Sequence, residues 1–152
     1  MNPVFNQHIN IDFLNNISLT IKREDLIHPF VSGNKFRKLK YNLLQAKVEN
    51  KKALLTFGGA FSNHIAAVAY AGKEQGFKTI GIIRGDELLD KIEGNPTLKF
   101  AQENGMQFEF VSREDYRLKN EFSFIEKLKD KFGDFYLVPE GGTNELAVKG
   151  CE

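Results

Sequence analysis

The sequence predicts an α/β protein with an open, mostly parallel sheet that carries helices on both faces. Short apolar runs alternate along the chain with longer segments whose apolar residues recur at the helical period. Three of the short runs, at residues 53–57, 79–83 and 136–138, are apolar almost throughout rather than at every second position. That pattern is typical of parallel strands that are covered on both faces.

The predicted strands are short and end at turn-forming or charged residues. They are rich in apolar and β-branched side chains and run over residues 18–22, 53–57, 79–83, 107–111 and 136–138. Pro29 and Gly33 mark the loop after the first strand, and Gly58 and Gly59 end the second.

The predicted helices have apolar or small residues at helical spacing. They lie over residues 37–49, 63–75, 96–104 and 121–131, and a further helix opens at Asn144. Ser62 is the candidate N-cap of the second helix, and Asn95 caps the third, with Pro96 in its first position. Gly76 and Gly105 follow helix ends.

Composition indicates one globular protein rather than a fibrous, disordered or membrane-spanning one. The 152 residues are 41% hydrophobic and 27% charged, and the net charge of +1 gives no reason to expect nucleic acid or an anionic membrane as partner. The single cysteine, Cys151, allows no disulfide framework, which suits a reducing compartment. No signal peptide is visible, and the apolar run 65–71 is too short to span a bilayer. We therefore expect a soluble cytoplasmic protein.

Positive charge is concentrated in one part of the chain. Residues 22–52 hold nine Lys or Arg and three Asp or Glu. One interpretation is a solvated, lysine-rich helix face, and the other is a positive neighbourhood for an anionic ligand near Lys35.

Two segments carry the candidate chemistry. Residues 32–38 place Lys35 on a glycine-containing loop just before a helix, and residues 58–64 follow a buried strand and end in Ser62, Asn63 and His64. Ligands of open parallel sheets bind beyond the carboxyl ends of strands, and a helix start with free N–H groups favours an anion. The alternative is that Ser62 only caps the helix and His64 is a partly exposed surface group. Neither segment matches a dinucleotide or P-loop fingerprint.

Four segments together resemble the pyridoxal-phosphate enzymes of the aminocyclopropane-carboxylate deaminase and D-cysteine desulfhydrase family, which have the tryptophan-synthase-β-like fold (fold type II). The segments are Lys22–Asp25, Ser32–Leu39, Ser62–His64 and Pro139–Asn144. They follow the family's order at similar spacing and cover the whole chain.

The resemblance implies roles for four residues. Lys35 would bind pyridoxal 5'-phosphate covalently and move the substrate proton, and a lysine close to other cations and partly desolvated has the lowered pKa that this needs. Asn63 would hydrogen-bond the phenolic oxygen of the cofactor. Ser62, Asn63 and His64, with backbone N–H groups of the helix start, would bind the carboxylate of a small amino-acid substrate, and Ser62 would also be catalytic.

The implied reaction is an α,β-elimination or ring opening that releases ammonia and a 2-keto acid, from D-cysteine or from 1-aminocyclopropane-1-carboxylate. The deaminases have glutamine where this chain has His64, whereas the desulfhydrase-like members have histidine, so the resemblance at His64 favours D-cysteine or a related β-substituted amino acid. The resemblance also implies a homodimer.

The resemblance further implies a protein that continues past Glu152. Residues 1–50 would begin the large cofactor domain with the lysine loop, residues 51–140 would form the small domain, and residues 141–152 would return to the large one. The phosphate loop and the group facing the pyridine nitrogen would follow, so the chain alone would be inactive.

Three alternatives remain open at this point. The chain could be a non-catalytic α/β module that binds an anion at Ser62–His64, with Lys35 as an ordinary surface lysine. It could belong to another fold type II enzyme, such as a serine or threonine dehydratase. Residues 141–143 could themselves form a phosphate cup before the last helix.

Overall fold

The computed structural model describes residues 3–11 and 17–152. Its strands are β1 (Asn6–Ile9), β2 (Leu19–Lys22), β3 (Ala53–Gly59), β4 (Lys78–Arg84), β5 (Met106–Val111) and β6 (Tyr136–Val138). Its α-helices are α1 (Asn34–Val48), α2 (Asn63–Glu74), α3 (Pro96–Glu103), α4 (Arg113–Arg117), α5 (Phe122–Phe132) and α6 (Glu145–Cys151). Turns of 3₁₀ helix lie at Glu24–Leu26, Asp86–Lys91 and Glu140–Gly142.

Four of the strands form one parallel sheet in the order β5-β4-β3-β6. Strands β4 and β5 extend the sheet on one side of β3, whereas β6 pairs with its other side. The strand order therefore reverses between β3 and β6, and the loops after these two strands diverge at the sheet's carboxyl edge. The predicted α/β class with an open, parallel sheet is confirmed.

Helices cover both faces of the sheet, as the apolar strands predicted. On β3, Leu54 packs into a core with residues of α1, α2 and α3, whereas its neighbour Leu55 packs with residues of α4 and α5. Both leucines are fully buried. Successive residues of a strand point to opposite faces, so burial of both requires a cover on each side.

The two remaining strands form a separate antiparallel pair. Residues 18–22 were predicted as a strand, and the structure pairs β2 with β1, a strand that the sequence did not indicate. The short helix α4 was also not predicted. Helix α1 begins at Asn34, three residues earlier than expected.

Helices α1 and α6 approach each other closely at one glycine. Gly150 lies directly against the backbone carbonyl of Arg37, where an added methyl group would overlap with the carbonyl oxygen. Glycine permits this approach because it has no Cβ. The contact holds α6, near the end of the chain, on the helix that carries Lys35.

Two further observations concern the described residues alone. Within residues 3–11 and 17–152, no helix is both long enough and apolar enough to cross a membrane. The same ranges contain no group of three or more His, Cys, Asp or Glu side chains arranged to hold a metal ion. The division into domains at residues 50 and 140 stays a prediction.

Candidate active site

One cavity brings all four predicted site residues together. It has a volume of about 740 Å³ and is lined by Lys35, Ser62, Asn63 and His64, together with Glu140 and other residues of the neighbouring loops. The loops after β3 and β6 form two of its walls, so it lies where the strand order reverses. Open α/β sheets bind their ligands at such switch points.

A second, smaller cavity lies elsewhere. It has a volume of about 360 Å³, is mostly apolar, and lies between α1 and the end of α2, with Leu43 and Ala71 among its lining residues. None of the four predicted site residues lines it. The candidate site residues therefore lie together in the larger cavity.

Lys35 lies in the first turn of α1, after Gly33, whose φ of 60° starts the helix from a conformation that glycine adopts readily. Its Nζ donates a hydrogen bond to the carbonyl oxygen of Gly141 at 3.1 Å. Burial, and secondly the charge of Lys38, lower the pKa of the Lys35 ammonium, although Cys151 opposes them. A lysine of this kind is more often the neutral, nucleophilic amine than an exposed lysine is.

The start of α2 presents unused donors to the cavity. Ser62 occupies the N-cap position in an extended conformation, but its hydroxyl makes no capping hydrogen bond with any residue that the structure describes. The predicted N-cap position of Ser62 is therefore confirmed, although its side chain supplies no capping bond within the described residues. The first N–H groups of a helix have no intrahelical acceptor. Together with the hydroxyl and the Asn63 amide they form a set of donors suited to an anion.

His64 is buried, not a surface group. The residue is only 2% exposed, and its Nε2 lies 2.8 Å from the hydroxyl oxygen of Thr56. Burial, and then the charges of Lys35 and Lys38, lower the pKa of His64 to about 4, while a backbone interaction with Pro139 acts in the opposite sense. The imidazole is therefore neutral near pH 7.

The loop after β6 closes the cavity from the other side. Gly141 and Gly142 both have a φ of 69°, which favours glycine. A Cβ on Gly142 would come within 3.3 Å of the His64 ring. The loop turns the carbonyl of Gly141 toward Lys35, and the Gly142 N–H is bonded to the carbonyl of Pro139 at 2.8 Å. A carbonyl acceptor repels an anion, so this loop is poorly suited to be a phosphate cup.

Side chains outside the cavity hold this loop in place. The hydroxyl of Tyr116 donates to Glu140 Oε1 at 2.8 Å, and Lys38 Nζ donates to Thr143 Oγ1 at 2.9 Å. Asn42, which is fully buried, exchanges two amide hydrogen bonds with Asn144.

Sequence reasoning missed three of these supporting residues. Thr56 had one available signal, because it is the polar residue within an otherwise apolar strand. Tyr116 and Asn42 had none, since their partners lie 24 and 102 residues away.

The residues present fit the reactive end of pyridoxal phosphate. The cofactor needs a lysine amine for its aldehyde and donors for its ring oxygen, and the cavity supplies Lys35 and the amide of Asn63. His64 Nδ1 is fully buried and has no hydrogen-bond partner of normal geometry within residues 3–11 and 17–152, although the backbone of Pro139 acts on the ring.

The chain is similar to proteins with related names. A Thermotoga maritima protein provisionally named 1-aminocyclopropane-1-carboxylate deaminase is 36% identical over 135 residues, which are 88% of this chain and 42% of the relative. The mitochondrial bifunctional D-cysteine desulfhydrase/1-aminocyclopropane-1-carboxylate deaminase of Arabidopsis thaliana is 30% identical over 142 residues, 90% of this chain and 35% of the relative.

A solved structure shows the same likeness. The crystal structure described as an ACC deaminase homologue superposes with a TM-score of 0.71 at 28% identity, over 88% of this chain and 40% of that one. Comparison with protein-family models gives no match. The chain thus spans less than half the length of these relatives, but nearly all of it takes part in the similarity. It belongs to the family of 1-aminocyclopropane-1-carboxylate deaminases and D-cysteine desulfhydrases, which have the fold of type II pyridoxal-phosphate enzymes.

Proposed function

We propose that the complete protein is a pyridoxal-phosphate-dependent deaminase or lyase that converts a small amino acid, of the D-cysteine or 1-aminocyclopropane-1-carboxylate type, to a 2-keto acid and ammonia. One observation carries the proposal: a lysine whose pKa is lowered by burial and by Lys38 lines the same cavity as Ser62, Asn63 and His64. The named relatives support the same chemistry.

Lys35 is the proposed catalytic base and cofactor lysine. Pyridoxal phosphate, when bound, supplies the electron sink that stabilises negative charge on the substrate carbon. The Lys35 Nζ must then be a neutral amine, because only that form bonds to an aldehyde or accepts the proton of that carbon. Its hydrogen bond to the Gly141 carbonyl keeps the nitrogen at the cavity wall.

The start of α2 is the proposed substrate-carboxylate site. The Ser62 hydroxyl, the Asn63 amide and the first N–H groups of the helix are donors, and the helix dipole adds positive potential there. Asn63 would also donate to the ring oxygen of the cofactor, and His64 belongs to the proposed substrate-binding set because it lines the same cavity. Binding the carboxylate fixes the substrate so that its reacting carbon faces Lys35. Ser62, at the edge of this set, is the second proposed catalytic residue.

Reductive labelling tests the proposal. The complete protein is mixed with pyridoxal phosphate and reduced with borohydride, and the modified lysine is located by peptide mass spectrometry. We expect a pyridoxyl group on Lys35 that is absent in Lys35→Ala and retained in Lys99→Ala, an exposed lysine paired with Glu93. A label spread over surface lysines contradicts the enzyme function and leaves a non-catalytic anion-binding module.

The substrate is identified with a panel of amino acids. Ammonia and keto-acid release is measured for D-cysteine, 1-aminocyclopropane-1-carboxylate, D-serine, L-serine and L-threonine. We expect turnover of one of the first two, whereas turnover of L-serine or L-threonine alone identifies a dehydratase. The homodimer and the cytoplasmic location stay predictions.

A further inference from the structure

The loop that leads into α1 is closed by one side chain, that of His28. Its Nδ1 accepts two backbone hydrogen bonds, from the N–H of Phe30 at 3.1 Å and from the N–H of Val31 at 2.9 Å. Pro29 lies between and has no N–H of its own. Neither of the two N–H groups has a backbone acceptor among the described residues. The His28 ring therefore closes this turn as the side-chain oxygen of asparagine or aspartate closes an Asx turn.

The two bonds determine which nitrogen of the His28 ring carries a hydrogen. A ring nitrogen that accepts from N–H groups has no hydrogen itself, and a neutral imidazole has one ring N–H in all. The hydrogen is therefore on Nε2, which faces the Oε1 atom of Glu74 on α2 at 3.6 Å. An imidazolium would have a second hydrogen on Nδ1, pointing at two N–H groups. The closed turn thus requires the neutral ring.

The same ring lies between the two helices that carry the site residues. It stacks on Phe36 of α1, with ring centroids 6.1 Å apart and an interplanar angle of 26°. Its centroid lies 5.4 Å from that of Tyr70 on α2. Phe36 directly follows Lys35, and α2 begins at Asn63. His28 therefore links the loop before Lys35 to the helix whose start lines the cavity.

The closed turn places residues 28–33 along one side of the cavity. Phe30 and Gly33 line the cavity together with Lys35. The Phe30 ring packs on Tyr70 with centroids 4.6 Å apart, and Val31 is buried in the core. Burial is the largest cause of the lowered pKa of Lys35, and these residues lie beside it. An open turn would let water reach the lysine and remove part of that effect.

We propose that His28 is a positioning residue for Lys35: by accepting the Phe30 and Val31 N–H groups it holds residues 28–33 closed along the cavity and keeps the Lys35 amine away from water. This inference rests on the proposed function, in which Lys35 is the cofactor lysine. It adds a residue that does not itself line the cavity.

Two substitutions separate the hydrogen bonds of His28 from the packing of its ring. His28→Asn places an amide oxygen where Nδ1 lies, so the two N–H groups keep an acceptor while the ring is lost. His28→Phe keeps a ring between Phe36 and Tyr70 and removes the acceptor. His8→Phe is the matched control, because His8 is an exposed residue of β1.

The first readout is the pH profile of Lys35 acetylation by acetic anhydride, measured by mass spectrometry on the complete protein in its cofactor-free form. We expect the midpoint to move to higher pH in His28→Phe, with a rate at pH 8 about threefold lower, because a hydrated amine stays protonated to a higher pH. The midpoint should be unchanged in His28→Asn and His8→Phe. Lys38 and Cys151, the other groups that act on Lys35, are the same in all three variants.

The second readout follows the two hydrogen bonds themselves. We expect the N–H groups of Phe30 and Val31 to exchange with solvent about tenfold faster in His28→Phe, the effect of losing one net hydrogen bond. His28→Asn should exchange like the wild type. The tautomer is measured on the wild type by long-range ¹H–¹⁵N NMR of the ¹⁵N-histidine-labelled protein, so this readout does not depend on the folding of a variant. We expect the hydrogen of His28 on Nε2.

Three results would overturn the inference: a hydrogen on His28 Nδ1 in the wild type, a Lys35 midpoint in His28→Phe equal to that of the wild type, or an equal shift in His28→Phe and His28→Asn. The last would assign the effect to the ring and not to its hydrogen bonds.

These readouts need neither cofactor nor turnover, so they stand apart from the reductive labelling of Lys35. A pyridoxyl label on Lys35 with a midpoint that does not respond to His28 overturns the inference while the proposed function survives. A midpoint that responds to His28 in a protein without the label contradicts the proposed function alone.

Discussion

The Nζ atom of Lys35 donates a hydrogen bond to the carbonyl oxygen of Gly141, a residue 106 positions further along the chain. The bond connects the first turn of α1 to the loop after β6, and both segments line the cavity. A carbonyl accepts from a neutral amine as well as from an ammonium group, so the bond orients the nitrogen without requiring it to be charged. The lysine is thus held in place while its pKa is lowered.

Lys38 should control the reactivity of Lys35. Replacing it in Lys38→Met removes a neighbouring positive charge, which raises the pKa of Lys35 toward its usual value. We expect acetylation of Lys35 by acetic anhydride at pH 8 to slow by roughly threefold, measured by mass spectrometry. Thr143→Val is the control, because it removes the hydrogen bond of Lys38 but not its charge. An equal slowing in both variants would assign the effect to the loop instead.

His64 should make the protein less stable in mild acid. Its pKa is about 4 in the folded protein, below the ordinary 6.5 of the unfolded chain. As the pH falls below about 6.5, the unfolded chain binds a proton that the folded protein does not, so the free energy of unfolding decreases until about pH 4. The total loss is about 3 kcal/mol.

Urea unfolding between pH 4 and pH 8 measures this loss. Carboxylates titrate in part of the same range, so the informative quantity is the difference between the wild type and His64→Gln. We expect the curve of the variant to lack the component between pH 6.5 and pH 4. Parallel curves over that range are incompatible with a neutral, buried His64.

Tyr116 should support the loop that carries Gly141. The Tyr116→Phe variant loses the hydrogen bond to Glu140, and because Glu140 is partly exposed to water the cost should be only about 1 kcal/mol. We expect faster hydrogen exchange at the Gly142 N–H, which is bonded to the carbonyl of Pro139. A double-mutant cycle with Glu140→Ala, which removes the acceptor, should give a coupling energy of about the same size; zero coupling would mean that the bond does not support the loop.

Gly150 should not tolerate a larger residue. A methyl group in Gly150→Ala overlaps with the carbonyl oxygen of Arg37, and a backbone atom inside a helix cannot move aside as a side chain can. We expect a loss of about 2 kcal/mol in the free energy of unfolding, as for other overpacked contacts. Gly94→Ala, where the nearest atom would be 3.9 Å away, should change it little. Denaturant unfolding of the two variants compares them, and similar values would show that α6 does not depend on this contact.

Local sequence patterns predicted the helices and strands that are stabilised by contacts between residues close in sequence. Asn95 caps α3 as expected, with its side chain accepting from the N–H groups of Thr97 and Leu98 at 3.0 Å. Strand β1 was missed because its residues are polar and half exposed, and only pairing with β2 makes it a strand. Helix α4 was missed because five mostly polar residues give no apolar period.

Sequence patterns likewise predicted one part of the candidate site and missed another. Lys35, Ser62, Asn63 and His64 could be chosen from glycine loops and a strand end, and the structure brings them to one cavity. The burial of His64 and its bond to Thr56 could not be predicted from such patterns, because they depend on the pairing of β3 with β6. That pairing joins residues 82 positions apart and leaves no periodic signal.

The order of the sheet also determines when the cavity comes into existence. Strand β3 pairs with β4, the next strand in sequence, but its other edge pairs only with β6, the last strand within the described residues. Closing so long a loop is entropically costly and slow, and during synthesis it cannot happen before the segment after β6 has left the ribosome. A nascent chain can therefore bury most of one half of its core while it still lacks the Gly141 carbonyl for Lys35. Ligand binding at this cavity would report that β6 has paired with β3.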